Sequence, residues 1–464
     1  MGEKVEGYTN FLHLVLSSFV VWITGDYLLA PRIVNFIFFS LMIFFAWCLF
    51  IKRFSGTKVK RMLLLMMFLL IAVTYPGMII WIYGGLETVT YASILFMAFS
   101  ILLYLPVTVK NSIFSGFLFA AAAMTRPDGV LLFGLCAVYL FIMNISLKNW
   151  NCFFVFTITF AALFGSYFLS RYYYYGQLLP NTFYAKTNFT LEKLHKGWLY
   201  ASRFAASIIL VIVTISLLLW KNIAAKTLNA KATLLLLSIV LYAGYIIIYG
   251  GDHMLGFRFL VPLIPLIALL CSELASRLSM RSIVTATLLL AVNVTFIYIY
   301  DQQEFRNATV TDPAAFNGAL VGNYLQTILP KGQLIATNSA GAIPFFDSNH
   351  TFIDMLGLCD TTISHRKNIP MLAPWQHVPG HEKGNGNYVL SHQPDIIILG
   401  PAQGTDNKPW FLSDAEILSN PLFRKEYKEQ QVNIPVSSLK LNSLVVFRQK
   451  PVADSLTFIY YKHI

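Results

Sequence analysis

Hydrophobic residues fall in long blocks along this chain, and polar residues collect in the breaks between them. Ten blocks have or approach the roughly 20 apolar residues that a membrane-spanning helix needs. They are Ala30–Ile51, Met62–Trp81, Thr88–Val109, Ser112–Thr125, Gly129–Leu147, Trp150–Ser170, Ala201–Trp220, Ala232–Tyr249, Phe259–Ser276 and Ile283–Ile299. Ser112–Thr125 is the shortest, and it must cross if the segments on either side of it do. Phe11–Ile23 is apolar but too short to span, which predicts an interface-lying or re-entrant helix. Beyond Tyr300 the pattern changes. Leu334–Thr337, Asp395–Leu399 and Ser443–Phe447 read as short buried strands bounded by Gly, Pro and Asn. Ala314–Ile328 and Ser413–Ser419 read as helical. The expected architecture is an α-helical polytopic membrane protein with a soluble C-terminal α/β domain. Its expected parts are a leading segment (1–29), a core of about ten helices (30–299) and the α/β domain (300–464).

Composition agrees with this pattern. Hydrophobic residues make up 56% of the 464 and charged residues 12%, against roughly 25% charged in an ordinary soluble domain. The net charge of +12 fits basic cytoplasmic turns and contacts with anionic lipid. It does not point to nucleic acid, because no basic block is interleaved with aromatics. Cys48, Cys136, Cys152 and Cys271 lie in or beside apolar runs, and Cys359 stands alone in the polar part. The C-terminal domain therefore has no second cysteine to pair with, and no zinc-type spacing occurs.

The basic residues also set an orientation. Lys52, Arg53, Lys58, Lys60 and Arg61 crowd one turn. Lys110, Lys148, the group Lys221, Lys226 and Lys231, and the pair Arg277 and Arg281 mark alternate turns on the same side. Lys/Arg-rich turns are cytoplasmic, so the opposite turns and the C-terminal domain are expected outside the cytoplasm. A bacterial inner membrane is the expected setting.

Charged residues in so apolar a chain are costly, and the unusual ones gather on the expected outer side. Glu87 follows Tyr83-Gly84-Gly85-Leu86, and Arg126-Pro127-Asp128-Gly129 separates two helices. Residues 171–186 read RYYYYGQLLPNTFYAK, and residues 250–258 read GGDHMLGFR. Arg and Lys suit a phosphate, tyrosine rings suit a sugar face, and Asn or Asp suits hydroxyls. Plainer readings stand beside these. Glu87 suits a helix N-terminus, Arg126 and Asp128 could form a local ion pair, and tyrosines 172–175 could form an interfacial belt. Asp252 beside His253 offers a divalent metal two ligands without a third, so no cofactor is firmly indicated.

Several motifs resemble a group of GT-C membrane glycosyltransferases, that of the terminal β-(1→2)-arabinofuranosyltransferases of actinobacterial cell walls. They are VEGYTNFL (5–12), GLET (85–88), TRPDG (125–129), YYGQLLPNTFYAK (174–186) and GGDHMLGFRFLVPLIP (250–265) in the membrane part. ATNSAGAIPFF (336–346), IDMLGLCD (353–360) and GHEKGNGNYVL (380–390) carry it in the C-terminal part. The resemblance implies a GT-C-like fold and an inverting transfer of sugar from a polyprenyl-phosphate donor to a cell-envelope glycan acceptor. It makes Arg126, Lys186 and Arg258 candidates for the donor phosphate. Glu87, Asp128, Asn181, Tyr184, Asp252, His253, Asp354, Asp360 and His381 become candidates for sugar or acceptor. It also implies a first helix ending in an acidic pair, the expected general base, ahead of VEGYTN, where this sequence starts. Residues 1–29 are then the remnant of a first outer loop. Either the start lies too far downstream or the copy is impaired, and the intact later motifs favour the former. A non-catalytic binder or transporter of lipid-linked sugars is the alternative reading, although no matching pair of broken helices signals inverted repeats.

Reporter fusions at Gly56 and Asn385 test the orientation. The first is expected in the cytoplasm and the second outside it. The same compartment for both would overturn the topology.

Overall fold

The computed structural model describes every residue except 1–2, 148–149, 187–189, 301–304, 306–312, 371–380, 402–403 and 440–453. The chain divides into two compact units: Met1–Tyr8, Tyr172–Asn188 and Val310–Ile464 form one, and Thr9–Arg171 with Phe189–Thr309 form the other.

The second unit is all helical. Its elements are α1 (Phe11–Thr24), α2 (Ala30–Arg53), α3 (Lys58–Ala72), α4 (Pro76–Gly84), α5 (Thr88–Tyr104), α6 (Val109–Thr125) and α7 (Gly129–Leu147). After α8 (Trp150–Tyr175), whose last turn belongs to the other unit, α9 (Asn181–Lys186) lies wholly within that unit. The helical unit resumes with α10 (Leu191–Ser207), α11 (Ile209–Ala224), α12 (Ala230–Tyr249), α13 (Ile264–Ser276) and α14 (Met280–Tyr300). Helices α5 and α13 form the centre, with 13 of 17 and 12 of 13 residues buried. Peripheral helices turn large apolar side chains outward, among them Phe36 and Phe44 on α2, Phe154 and Ile158 on α8, and Leu288 and Val292 on α14. Such an outer surface suits lipid as the solvent, because a helix satisfies its own backbone there.

Helices occupy all ten expected segments, but not as ten uniform spans. Among the described residues, four helices, α2, α8, α12 and α14, are long and apolar enough to cross a membrane, and the number rises to six if two bent pairs each count once. Helix α5 shows why length separates the groups. Its 17 residues rise about 26 Å, short of a hydrocarbon core of about 30 Å, and its neighbours bury it. Met62–Trp81 is broken into α3 and α4, which meet at 58°. Pro76 opens α4 and Tyr75 before it is extended, as a residue ahead of proline must be. Ala201–Trp220 is broken as well: α10 and α11 meet at 78° around Ile208, which is outside the helical region at φ −115°, ψ 27°. No Pro or Gly marks that break. Ser207 Oγ bonds back to the Phe204 carbonyl at 2.7 Å, a habit that bends helices.

The other unit holds a five-stranded sheet in the order β2 (Thr351–Asp354), β1 (Leu334–Thr337), β3 (Ile396–Ile398), β5 (Ser455–His463), β4 (Tyr427–Pro435). Strand β1 is parallel to β2 and β3, while β5 is antiparallel to β3 and β4. Alternate residues feed two cores. Ile335, Ile396, Ile398 and Phe458 pack with Leu320, Val321 and Leu325 of α15 (Pro313–Ile328) and Ile343 of α16 (Ala342–Phe346). Ala336, Ile353, Ile397 and Tyr461 pack on the other face with Ile363 of α17 (Thr361–Ser364), Val389 of α18 (Gly386–Ser391), Ile417 of α19 (Leu412–Ser419) and Phe423 of α20 (Pro421–Glu426). Two of the three expected strands are present, β1 and β3. Ser443–Phe447 lies outside the described residues. Strands β2, β4 and β5 lacked a clear signal because β4 and β5 are long and polar on their outer positions.

One buried carboxylate ties the helical unit together at the C-terminal end of α5. Glu273 accepts from Tyr104 Oη at 2.9 Å and from Asn229 Nδ2 at 2.8 Å, with Arg277 Nε at 3.4 Å. These residues join α5, α13 and the turn before α12. Glu273→Ala is expected to cost about 1–3 kcal/mol, because it leaves the Tyr104 hydroxyl and the Asn229 amide without their acceptor, and to lower the thermal midpoint in detergent. Arg281→Ala, at an exposed position, is the control. Equal midpoints for the two variants would contradict the role of Glu273.

Candidate functional site

Near the start of α5 the helical unit brings Glu87, Arg126 and Asp128 together, with Asp252 and Arg258 beside them. Asn35, buried in α2, donates to the carbonyls of Trp81 at 3.1 Å and Leu86 at 2.8 Å. Its Oδ1 accepts from Thr90 N and Thr90 Oγ1. All its hydrogen-bonding capacity thus holds the turn 84–87, where Gly85 takes a left-handed φ of 75°, and this turn presents Glu87.

Arg126 caps α6 and is buried. Its Nη1 lies 3.3 Å from Glu87 Oε1, its Nη2 lies 2.9 Å from Asp128 Oδ2, and Tyr242 Oη donates to the same Asp128 oxygen at 2.7 Å. Asn10 Nδ2 reaches the second Glu87 oxygen at 3.4 Å. The tight turn from Arg126 to Gly129 requires glycine at its end, since a Cβ there would sit 2.8 Å from Ala123 N. A polar ladder therefore joins the entry of α1, the start of α5, the α6–α7 turn and the middle of α12.

A second arginine stands beside the first. Arg258 makes a two-pronged pair with Asp252, Nε to Oδ2 at 2.7 Å and Nη2 to Oδ1 at 3.0 Å. His253 Nδ1 approaches Asp252 Oδ1 at 3.5 Å and its ring is partly exposed. Trp81 Nε1 pins the loop by donating to the Gly256 carbonyl at 3.1 Å. Arg126 Cζ and Arg258 Cζ each lie 4.7 Å from the centre of the same Phe259 ring. The two guanidinium groups are thus no further apart than twice that distance. They lie against one ring and form one locus.

The sequence candidates of the other unit are arranged separately. Asn181 Nδ2 donates to the carbonyls of Gly357 at 2.9 Å, Leu358 at 3.0 Å and Asp360 at 3.3 Å, and Ser364 Oγ donates to its Oδ1 at 2.6 Å. Its side chain holds the 357–364 loop. Tyr184 stacks on His365 with ring centres 4.3 Å apart. Asp360 caps α17 and accepts from Tyr388 Oη at 3.1 Å. Asp354 ends β2 and accepts from Leu356 N at 3.0 Å and Cys359 N at 2.7 Å. Burial pushes its carboxyl up to about 6, and these amides hold it from going higher. His381 has its ring 6.3 Å from Phe411, and Lys186 is half-buried at the end of α9. The carboxyl ends of β1 and β2, where open α/β sheets bind ligands, carry Asn338 and Asp354. Lys383 donates to the Ser364 carbonyl, and burial lowers its pKa.

Residues that sequence reasoning missed include Asn10, Asn35, Tyr91, Tyr242 and Phe259. Tyr91 lies under Arg126 at 5.5 Å. All but Asn10 lie within apolar runs, and the signal that could have found Asn35 is a single amide in the middle of one. Among the described residues, no three His, Cys, Asp or Glu side chains come together as a metal site.

Comparison with known proteins follows this geometry. Residues 290–447 match a family described as a domain of unknown function (DUF8728), which covers the end of α14 and most of the α/β unit. No curated protein matches the sequence. Among solved structures, the chain is similar to ArnT from Cupriavidus metallidurans bound to undecaprenyl phosphate. The TM-score is 0.50 at 12% identity, over 73% of this chain and 74% of that one. The apo state of the same ArnT gives a TM-score of 0.47 at 13% identity over 74% of each chain. The first likeness shows the fold: a helical unit and a small C-terminal sheet unit in one chain, as in that ArnT structure.

One titration in the sheet unit gives a pH signature. Asp414 is buried and accepts from Asn338 Nδ2 at 2.7 Å and Phe411 N at 3.0 Å. Burial raises its pKa from 3.8 to about 7. The folded unit therefore binds a proton that the unfolded chain has lost between those values. This contribution to stability is complete below the unfolded pKa and is lost as pH rises through about 7. Hydrogen-exchange protection of α19 is expected to decline over that window, and less steeply in Asp414→Asn. Equal slopes in both would contradict the assignment.

Proposed function

We propose that the chain is a membrane glycosyltransferase of the GT-C type that takes a sugar from a polyprenyl-phosphate donor. The observation that carries this reading is the pair Arg126 and Arg258 on one Phe259 ring. Two guanidinium groups within one small locus suit a phosphate, which each can bind with parallel N–H donors. The ArnT structure with undecaprenyl phosphate supports the same class of lipid for this fold.

In the reaction, an acceptor hydroxyl oxygen attacks the anomeric carbon and gives its proton to a base. The bond from that carbon to the phosphate oxygen breaks, and the electron pair stays on the departing polyprenyl phosphate. Arg126 and Arg258 would stabilise that developing charge. The sheet unit, taken by itself, offers Tyr184, Asp360 and His381 as sugar contacts. The domain would stand outside the cytoplasm of a bacterial inner membrane, and the acceptor would be a cell-envelope glycan.

A second reading, a non-catalytic binder or transporter of lipid-linked sugars, is favoured by one observation. Glu87, Asp128 and Asp252 each lie within an arginine ion pair, which is poor preparation for a general base. Sugar transfer from a lipid-linked donor, as against movement of that donor across the bilayer, separates the two readings.

Both readings require a donor phosphate at the arginines. Replacing Arg258 with Lys keeps the charge and loses the two-pronged geometry. Arg258→Lys and Arg126→Lys are each expected to weaken undecaprenyl phosphate binding about tenfold, equivalent to about 1.4 kcal/mol, in protein whose thermal midpoint shows it to be folded. Unchanged affinity in both would end the phosphate reading.

A further inference from the structure

We propose that Lys193 is a third cation of the phosphate locus, carried to it by α10 lying across the membrane surface. This inference rests on the reading of the Arg126–Arg258 locus as a phosphate site.

Helix α10 has two faces. Lys193, Gly197, Tyr200 and Phe204 recur at helical spacing and turn inward. Leu191, Trp198 and Leu199 are exposed on the other side. The 78° bend before α11 sets α10 across the direction of its apolar continuation. An amphipathic helix that leaves a spanning direction so sharply suits the headgroup level, where phosphate groups lie.

The inward face reaches the arginines through a chain of rings. Lys193 is 5% exposed, and its Nζ lies 5.5 Å from the centre of the Tyr249 ring. Tyr249 meets Phe259 edge-on at 5.8 Å, and Phe259 carries both guanidinium groups. Tyr200 Oη accepts from Phe259 N at 3.1 Å, fixing the same ring from α10.

Glycine makes this approach close. A Cβ on Gly197 would sit 2.1 Å from the Ile247 carbonyl oxygen, so α10 rests directly on the backbone of α12. A Cβ on Gly250 would sit 2.4 Å from Lys193 Cγ, and one on Gly251 would sit 2.7 Å from Tyr200 Cβ. Both glycines also take left-handed φ values, 96° and 74°, which other residues rarely adopt. The Gly250-Gly251 pair thus has a specific use: it admits the stem of Lys193 and the ring of Tyr200.

Charge explains what the lysine adds. The locus holds three carboxylates, Glu87, Asp128 and Asp252, against two arginines. With Arg126 and Arg258 alone it carries one net negative charge, and an incoming phosphate would be repelled. Lys193 brings the sum to neutral. Lysine also contributes a point charge with three rotatable donors, which can follow a phosphate as it leaves.

The test uses the full chain in detergent, with undecaprenyl phosphate as probe and phosphate-free undecaprenol as control. Lys193→Met keeps most of the apolar stem and removes the charge. It is expected to weaken undecaprenyl phosphate binding at least tenfold and to leave undecaprenol binding unchanged, while Lys193→Arg stays within about threefold of the wild type. Adding Glu87→Gln to Lys193→Met restores neutrality and is expected to recover a large part of the loss, which a purely structural lysine would not show. Lys193→Gln serves in the same design should the Met variant fail to fold. Undecaprenyl phosphate affinity within twofold of wild type for both neutral variants, with Arg258→Lys still weakened, would overturn this inference alone. A wild type that binds undecaprenol and undecaprenyl phosphate equally would overturn the phosphate site itself.

Discussion

A guanidinium buried among apolar helices is stable only where carboxylates and ring faces replace the water it has lost, and Arg126 and Arg258 impose that requirement on everything around them. Arg126 must have Glu87 and Asp128 within reach, which fixes where α5 begins and how sharply α6 turns into α7. Arg258 must have Asp252, which closes the loop between α12 and α13. Phe259 lies between the two and takes both cations on one ring. The helix ends that meet at this locus are therefore constrained together, although they come from distant parts of the sequence.

The rest of the helical unit solves the complementary problem of backbone groups freed where helices break. Asn35 takes up the carbonyls of Trp81 and Leu86 at the end of α4, and Trp81 in turn takes up that of Gly256. At the other end of α5, Glu273 collects Tyr104, Asn229 and Arg277. In an apolar solvent an unsatisfied polar group costs several kcal/mol, so these few side chains decide where the chain can bend. The breaks fall where such partners exist.

Much of this could be read from the residues, and the failures have physical causes. Long apolar blocks revealed the helices because burial in lipid demands unbroken hydrophobicity. Helix-breaking turns at Arg126–Gly129 and Gly250–Arg258 drew attention to the two arginines because charge there is expensive. The break at Ile208 was hidden, since α10 and α11 join without Pro or Gly and the only local signal is a serine, Ser207, bonding back to the Phe204 carbonyl. Tyrosines 172–175, read as an interfacial belt, form the last turn of α8. Asn181 looked like a sugar contact, yet its amide holds the 357–364 loop. Lys186 looked equivalent to the arginines, yet it folds with the other unit, whereas Lys193 folds with theirs. Spacing along the chain cannot separate two lysines that differ only in which unit they fold with. Strands β4 and β5 escaped notice because their stability comes from a nine-residue pairing, a long-range contact that neither segment reveals alone.

The likeness to ArnT concerns the fold, and the chemistry stands or falls with the arginines. A structure of the full chain in lipid nanodiscs containing undecaprenyl phosphate tests this most directly. The expected result places the lipid phosphate against Arg126 and Arg258 beside Phe259. A phosphate bound elsewhere, with both arginines held by their carboxylates alone, would contradict it.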